Sequence, residues 1–208
     1  HGVRVGGIDV RHAGGCDHAA LADVGDEAAM AAAVAAIEER LGAPTLAVHS
    51  AGIARDQMHW KLPVSDWDAV LRVNLTGAFL LLREMTPRIR AHGGGALVFV
   101  GSINGRRGKL GQAAYAASKA GLVGLARTAA REIGRFGGRV NVVSPGMVDT
   151  PMTAALGQEW RDRAAAESVL GRIATAEEIA SVVRFLLSGH ARHVTGQELA
   201  VDGGQHMG

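Results

Sequence analysis

Tyr115 is the only tyrosine in the chain, and it lies four residues before Lys119 in the segment Tyr-Ala-Ala-Ser-Lys. Four residues are about one helical turn, so on a helix both side chains share a face. An ammonium beside a phenol favours the phenolate and is expected to lower the tyrosine's pKa. Such a tyrosine can exchange a proton with a substrate oxygen near neutral pH. The pair alone is also what an ordinary helix surface presents, so its meaning rests on the residues around it. Ser102 follows the apolar run Leu97–Val100 and precedes Tyr115 by thirteen residues. Gly-Ser after a strand equally suits a simple turn. Asn74 sits in Val-Asn-Leu-Thr-Gly, where it could bend a helix without doing chemistry.

Strand-like and helix-like patterns alternate around these residues. Strands are expected at Val3–Ile8 (ending at Asp9), 19–22, Thr45–His49, Ala96–Val100, Arg139–Val143 and Glu198–Val201. Helices are expected at Asp26–Leu41, Asp66–Ala91, Ala113–Arg135 and Glu177–Leu187. Apolar strands alternating with helices imply an α/β fold with a parallel sheet covered on both faces. Ligands in such folds lie at the carboxyl ends of the strands, where Asp9, Asp23, Gly52, Ser102 and Pro145 fall.

Composition narrows the function classes. The 208 residues carry 22 basic and 20 acidic side chains, interspersed, and aromatic residues make up 4%. A nucleic-acid surface has no basic block to rest on. No apolar run reaches membrane-spanning length. The single cysteine, Cys16, excludes an internal disulfide and suits a reducing, cytoplasmic compartment. His190 and His193 have a ligand-like spacing but no evident third ligand, so no metal is expected.

The ordered set Asn74, Ser102 and Tyr115-x-x-x-Lys119 stands with Asp23-Val24, Ser50-Ala51-Gly52, Pro145-Gly146-Met-Val-Asp-Thr150 and Val201-Asp-Gly-Gly204. In that combination the chain resembles the short-chain dehydrogenase/reductase family along essentially its whole length. The resemblance implies a Rossmann-like, doubly wound, three-layer α/β/α fold in one domain, residues 1–208. It also implies roles. Tyr115 would be the general acid in carbonyl reduction, and Lys119 would lower its pKa and bind the nicotinamide ribose. Ser102 would donate to the carbonyl oxygen, and Asn74 would hold a water feeding protons to Lys119. Asp23, Val24, Ala51, Gly52, Pro145, Gly146, Val148 and Thr150 would contact the cofactor. Thr150 would also cap the helix after Pro151, and Asp23 could be simple loop polarity. Asp9, at the end of the first strand, would accept hydrogen bonds from the adenosine ribose and repel an extra phosphate, favouring NAD(H) over NADP(H). Arg11 argues the other way, since an arginine there can pair with that phosphate.

Two features depart from the family pattern. No Thr-Gly-x-x-x-Gly-x-Gly phosphate loop is present, for neither Gly6-Gly7 nor Gly14-Gly15 has its spacing. The pattern therefore begins at the family's second strand, which predicts an N-terminally incomplete sheet with unpaired edges and a longer natural polypeptide. His49 stands where the family has an asparagine that braces neighbouring strands; it could replace some of those hydrogen bonds, at a change in the local geometry.

Within the family the closest likeness is to 3-oxoacyl-[acyl carrier protein] reductases. It is carried by Ala51-Gly-Ile-Ala-Arg-Asp-Gln57, Gly111–Gly121 and Thr195-Gly-Gln-Glu198. The expected substrate is an acyl thioester, with acyl carrier protein a possible partner. A dehydrogenase of another small secondary alcohol, sugar or steroid-like compound, and a non-catalytic assembly subunit, remain alternatives. The segment from Met152 to Leu170, with Leu156 and Trp160, reads as a mobile lid over a moderately apolar substrate. The resemblance also implies a homotetramer.

Overall fold

The computed structural model describes residues 2–11, 14–154 and 157–207, with the side chains of Met152 and Ala154 outside that description. Strands β1 (Gly6–Asp9) and β2 (His18–Leu21) pair in parallel, Gly6 opposite His18. Helix α1 (Glu27–Leu41) follows, started by the Asp26 carboxylate, which accepts from the Ala29 amide at 2.8 Å. That bond satisfies one of the donors left open at every helix start. Strands β3 (Leu46–His49), β4 (Gly95–Val100), β5 (Gly138–Pro145) and β8 (Glu198–Val201) form a four-stranded parallel sheet in the order β3-β4-β5-β8.

Between β3 and β4 lies a helix in three parts: α2 (Val64–Leu71), a π-helical turn at Arg72–Thr76, and α3 (Gly77–His92). Between β4 and β5 lie the short α4 (Asn104–Arg107) and the long α5 (Ala113–Ile133). After β5 come β6 (Val148–Asp149), α6 (Pro151–Ala154), α7 (Gln158–Glu167), β7 (Ala174–Thr175) and α8 (Ala176–Leu187); β6 pairs with β7.

Side-chain alternation along the strands divides the core in two. Leu97 and Phe99 of β4 and Val140 and Val142 of β5 face α1, α3 and α5, packing with Met30, Met85, Ile89, Leu122 and Ile133. Val98 and Val143 point the other way, onto Ile179, Val183 and Leu186 of α8. The fold is therefore the expected α/β arrangement of a parallel sheet between helical layers. Two devices anchor α8. Thr175 and Glu178 cap its start reciprocally, Thr175 N donating to Glu178 at 2.8 Å. Arg139 of β5 reaches its end and donates to the carbonyls of Leu186 (2.7 Å), Ser188 (3.2 Å) and Val194 (3.3 Å). A guanidinium is well suited to carbonyls left without intrahelical donors.

Among the described residues the pairing leaves the strands in separate sheets. The β1-β2 pair and the four-stranded sheet are separate, so β1 and β3 each present an edge. On β3, Leu46 and Val48 are 42% and 39% exposed.

Several boundaries differ from the sequence expectation. The first strand starts at Gly6 rather than Val3, and the second runs His18–Leu21. The fifth continues to Pro145, because the proline closes the ladder opposite Val201. The long helix expected at Asp66–Ala91 is broken by its π-helical turn. Within the expected lid segment, residues 158–167 form the helix α7.

Candidate active site

The four-stranded parallel sheet delivers His49, Ser102 and Pro145-Gly146 to one edge, each at or just beyond its strand's carboxyl end, while Asp9 ends β1 in the separate pair. Helix α5 crosses this edge and places Tyr115 and Lys119 one turn apart on a common face. The Lys119 Nζ stands 5.6 Å from the centroid of the Tyr115 ring. It donates to the Val100 carbonyl at 2.8 Å. An ammonium has three donors, and only this one has a partner among the described residues.

Asn74 comes into the site because the π-helical turn adds a residue to the helix just there, a feature common at functional sites. Its Oδ1 accepts from the Ile53 amide at 2.8 Å, and its Nδ2 donates to the Ile53 carbonyl and the Ser118 hydroxyl, both at 3.0 Å. Asn74 thus ties the helix to the segment after Gly52. Gly52 lies beside both, since a Cβ there would be in ordinary contact with Lys119 Nζ at 3.4 Å and Asn74 Oδ1 at 3.5 Å. Ser118 passes the connection on, donating to the Tyr115 carbonyl at 2.7 Å. Nothing in the sequence reading gave Ser118 a role, although its place between Tyr115 and Lys119 was the available signal.

The electrostatics correct one expectation. Burial raises the Tyr115 pKa; a hydrogen bond with Ser102 opposes that, and the Asp56 carboxylate adds to it. Burial, rather than the Lys119 charge, sets the direction of the Tyr115 shift, and the Lys119 ammonium beside the ring is itself desolvated, with a pKa lowered to about 8. The second correction concerns His49. It is buried, and among the described residues neither ring nitrogen has a hydrogen-bond partner. The imidazole therefore does not take over a bracing asparagine's bonds. Burial, reinforced by the Lys119 charge, lowers its pKa to about 4 against a smaller pull from the His49 and Val73 carbonyls.

The remaining expected cofactor residues divide by what they now touch. Asp9 accepts from the Arg11 amide at 2.8 Å at the end of β1. Asp23 accepts from Gly25 N at 2.9 Å and from Arg72 at 2.7 Å, which lowers its pKa. Val24 packs into the core beside Gly77, and Ala51 lies against the same cluster. The Gly146 amide donates to the Val201 carbonyl at 3.2 Å, and the Val148 carbonyl accepts from the Thr153 hydroxyl. Thr150 caps α6, its hydroxyl accepting from Thr153 N at 3.4 Å. Of the expected lid residues, Leu156 and the Met152 side chain lie outside the described residues. Trp160 lies between Lys109 and Arg163, at 5.5 and 5.0 Å, and Leu170 is exposed. Among the described residues no helix is long and apolar enough to cross a membrane.

The fold and this site define a class, and comparison with known proteins agrees. A family profile described as enoyl-(acyl carrier protein) reductase matches residues 9–206. The chain is 40% identical over 208 residues to an acetoacetyl-CoA reductase of Synechocystis sp., covering 99% of this chain and 87% of that protein. It is 41% identical over 165 residues to a (3R)-3-hydroxyacyl-CoA dehydrogenase of Mus musculus, covering 79% of this chain and 64% of the relative. With a 3-oxoacyl-[acyl-carrier-protein] reductase of Thermotoga maritima the identity is 40% over 168 residues, 81% of this chain and 68% of the relative. The chain belongs to the short-chain dehydrogenase/reductase family, a family of oxidoreductases that use NAD(P)(H).

The residues present suit the two ends of such a dinucleotide. Lys119, buried with donors to spare, fits a ribose hydroxyl, and Asp9 offers a carboxylate at the strand end where an adenosine ribose is held in this fold class.

Proposed function

We propose that the protein reduces a 3-oxoacyl thioester, carried on coenzyme A or acyl carrier protein, to the 3-hydroxyacyl thioester. The observation that carries this reading is the convergence of Ser102, Tyr115, Lys119 and Asn74 at one sheet edge, in a chain similar to proteins named for that chemistry. The nicotinamide supplies a hydride when bound. The chain's own work is to hold the ketone and manage one proton. Ser102 donates to the carbonyl oxygen and stabilises charge developing there. Tyr115, kept protonated by its burial, gives its phenolic proton to that oxygen. Lys119 offsets the phenolate that results and binds the nicotinamide ribose. Asn74 holds the Ile53 segment in place and orders the proton supply behind Lys119.

Asp23, Val24, Ala51, Gly52, Pro145, Gly146, Val148 and Thr150 form the rest of the cofactor wall. Asp9 makes NAD(H) the favoured cofactor, through repulsion of a ribose phosphate. The protein works as a homotetramer in the cytoplasm, α3 and α5 supplying one interface and β8 the other. Phe79 and Leu199, 45% and 42% exposed, lie on those surfaces. The test is turnover of acetoacetyl-CoA with NADH and with NADPH, beside a panel of alcohols and sugars. Expected are thioester reduction, a preference for NADH, and loss of turnover in Tyr115→Phe with nucleotide affinity kept. Failure on every acyl thioester would remove the reading.

A further inference from the structure

Outside the four site residues, a line of side chains runs beside Ser102 and Tyr115. Arg107 Nε donates to Asn104 Oδ1 at 3.0 Å. Asn104 Nδ2 donates to Gln112 Oε1 at 3.0 Å. Gln112 Nε2 donates to Asp56 at 2.9 Å. At the other end, Arg107 Nη1 donates to Glu167 on α7 at 3.0 Å. The Asn104 amide also donates to the Ser102 hydroxyl at 3.1 Å.

The direction of this line is fixed by chemistry. A guanidinium can only donate and an ionised carboxylate can only accept. With Arg107 at one end and Asp56 at the other, Asn104 and Gln112 have one consistent orientation each. The line joins three separate pieces of chain: the segment after β3, the loop after β4, and α7. It passes the phenol closely enough for the Asp56 charge to act on Tyr115. At Ser102 the amide of Asn104 occupies a hydroxyl lone pair, which leaves the hydroxyl hydrogen to point away, toward the phenol or a substrate oxygen.

We propose that Asn104 and Arg107 are positioning residues for the reduction: through a one-way hydrogen-bond line they hold Gln112, Asp56 and α7 around the Ser102–Tyr115 pair. This rests on the reductase reading above. The line predicts an unusual rescue. Asn104→Asp is nearly isosteric, yet it puts an acceptor where Nδ2 was. Gln112 must then turn over and present its oxygen to Asp56, and two acceptors meet. Adding Asp56→Asn supplies a donor there, so Asn104→Asp/Asp56→Asn completes a line with the Gln112 amide reversed.

The experiment compares the full-length protein, the two single variants and the double variant. It measures KM and kcat for acetoacetyl-CoA, Kd for NADH, and amide hydrogen exchange over residues 104–112 and 158–167. Asn104→Asp should raise KM about tenfold and speed exchange in both segments at least about fivefold, with Kd within about twofold. The double variant should return KM and exchange to within about twofold of Asp56→Asn alone. A normal Asn104→Asp variant, or a double variant no better than it, overturns the proposal. Should the unmodified protein reduce no thioester, the reductase reading falls separately. The exchange arm then decides the line alone, and exchange unchanged by Asn104→Asp overturns it.

Discussion

Replacing His49 with asparagine should make the protein less sensitive to mild acid. The unfolded imidazole takes a proton near 6.5, while the folded one, buried beside Lys119, resists until about 4. Between those values the unfolded chain binds more protons, so stability is complete above 6.5 and drains away as pH falls toward 4. The separation of about 2.5 units, at 1.36 kcal/mol per unit, corresponds to about 3 kcal/mol in the limit. From pH 7 to pH 5 the share lost is about 2 kcal/mol by the same linkage. Urea unfolding of both proteins at those two pH values is the assay. The loss on acidification should be about 2 kcal/mol larger in the native protein than in His49→Asn, whatever the other carboxylates and histidines contribute to both. Equal losses would refute the reasoning, because they would mean that the imidazole titrates freely in the folded state. His49→Gln, also uncharged throughout, guards against an effect peculiar to asparagine.

Other outcomes follow from the same geometry. Arg139→Met should destabilise the fold by about 2 kcal/mol, since it strips charge-assisted hydrogen bonds from the α8 terminal carbonyls; thermal or urea melts measure it. Gly77→Ala should cost about 1–3 kcal/mol, because a Cβ there would meet His49 Nε2 at 3.0 Å and the Val24 carbonyl at 3.1 Å. The Lys119 ammonium loses its proton as pH rises through about 8, so thioester reduction should decline on that alkaline side. Rates with nucleotide held saturating at each pH would show it, and a flat profile to well above 9 would contradict it.

The Tyr115–Lys119 pairing and the strands beside it were readable because they are local. A turn of helix sets Tyr115 over Lys119, and apolar runs announce β4 and β5 whatever surrounds them. What escaped depends on neighbours distant in the chain. Asn74 was legible as a candidate site residue in one long helix, but the π-helical turn that presents it depends on how the two halves of that helix pack. The two-residue strands β6 and β7 are too short for any periodicity. The Tyr115 pKa was misjudged because spacing reveals a neighbouring lysine but not the burial that outweighs it. Whether His49 could replace an asparagine's hydrogen bonds was open in the sequence, because the packing of Val24, Gly77 and Lys119 decides what a ring there can reach. The line from Arg107 to Asp56 spans residues 51 apart in sequence and was invisible until the chain was folded.

The π-helical turn carries a consequence for insertions and deletions. Because it holds one residue more than an α-helical turn, α2 and α3 are out of phase by about 100°. Residues on either side of Asn74 therefore answer to different partners, α2 to α5 and α3 to both α1 and α5. Losing one residue between Arg72 and Thr76 would let the helix run on uninterrupted. The core face of α3 would keep its apolar residues but swing them away from Met30 and Phe99. In this helix, residue number as much as residue type is under constraint.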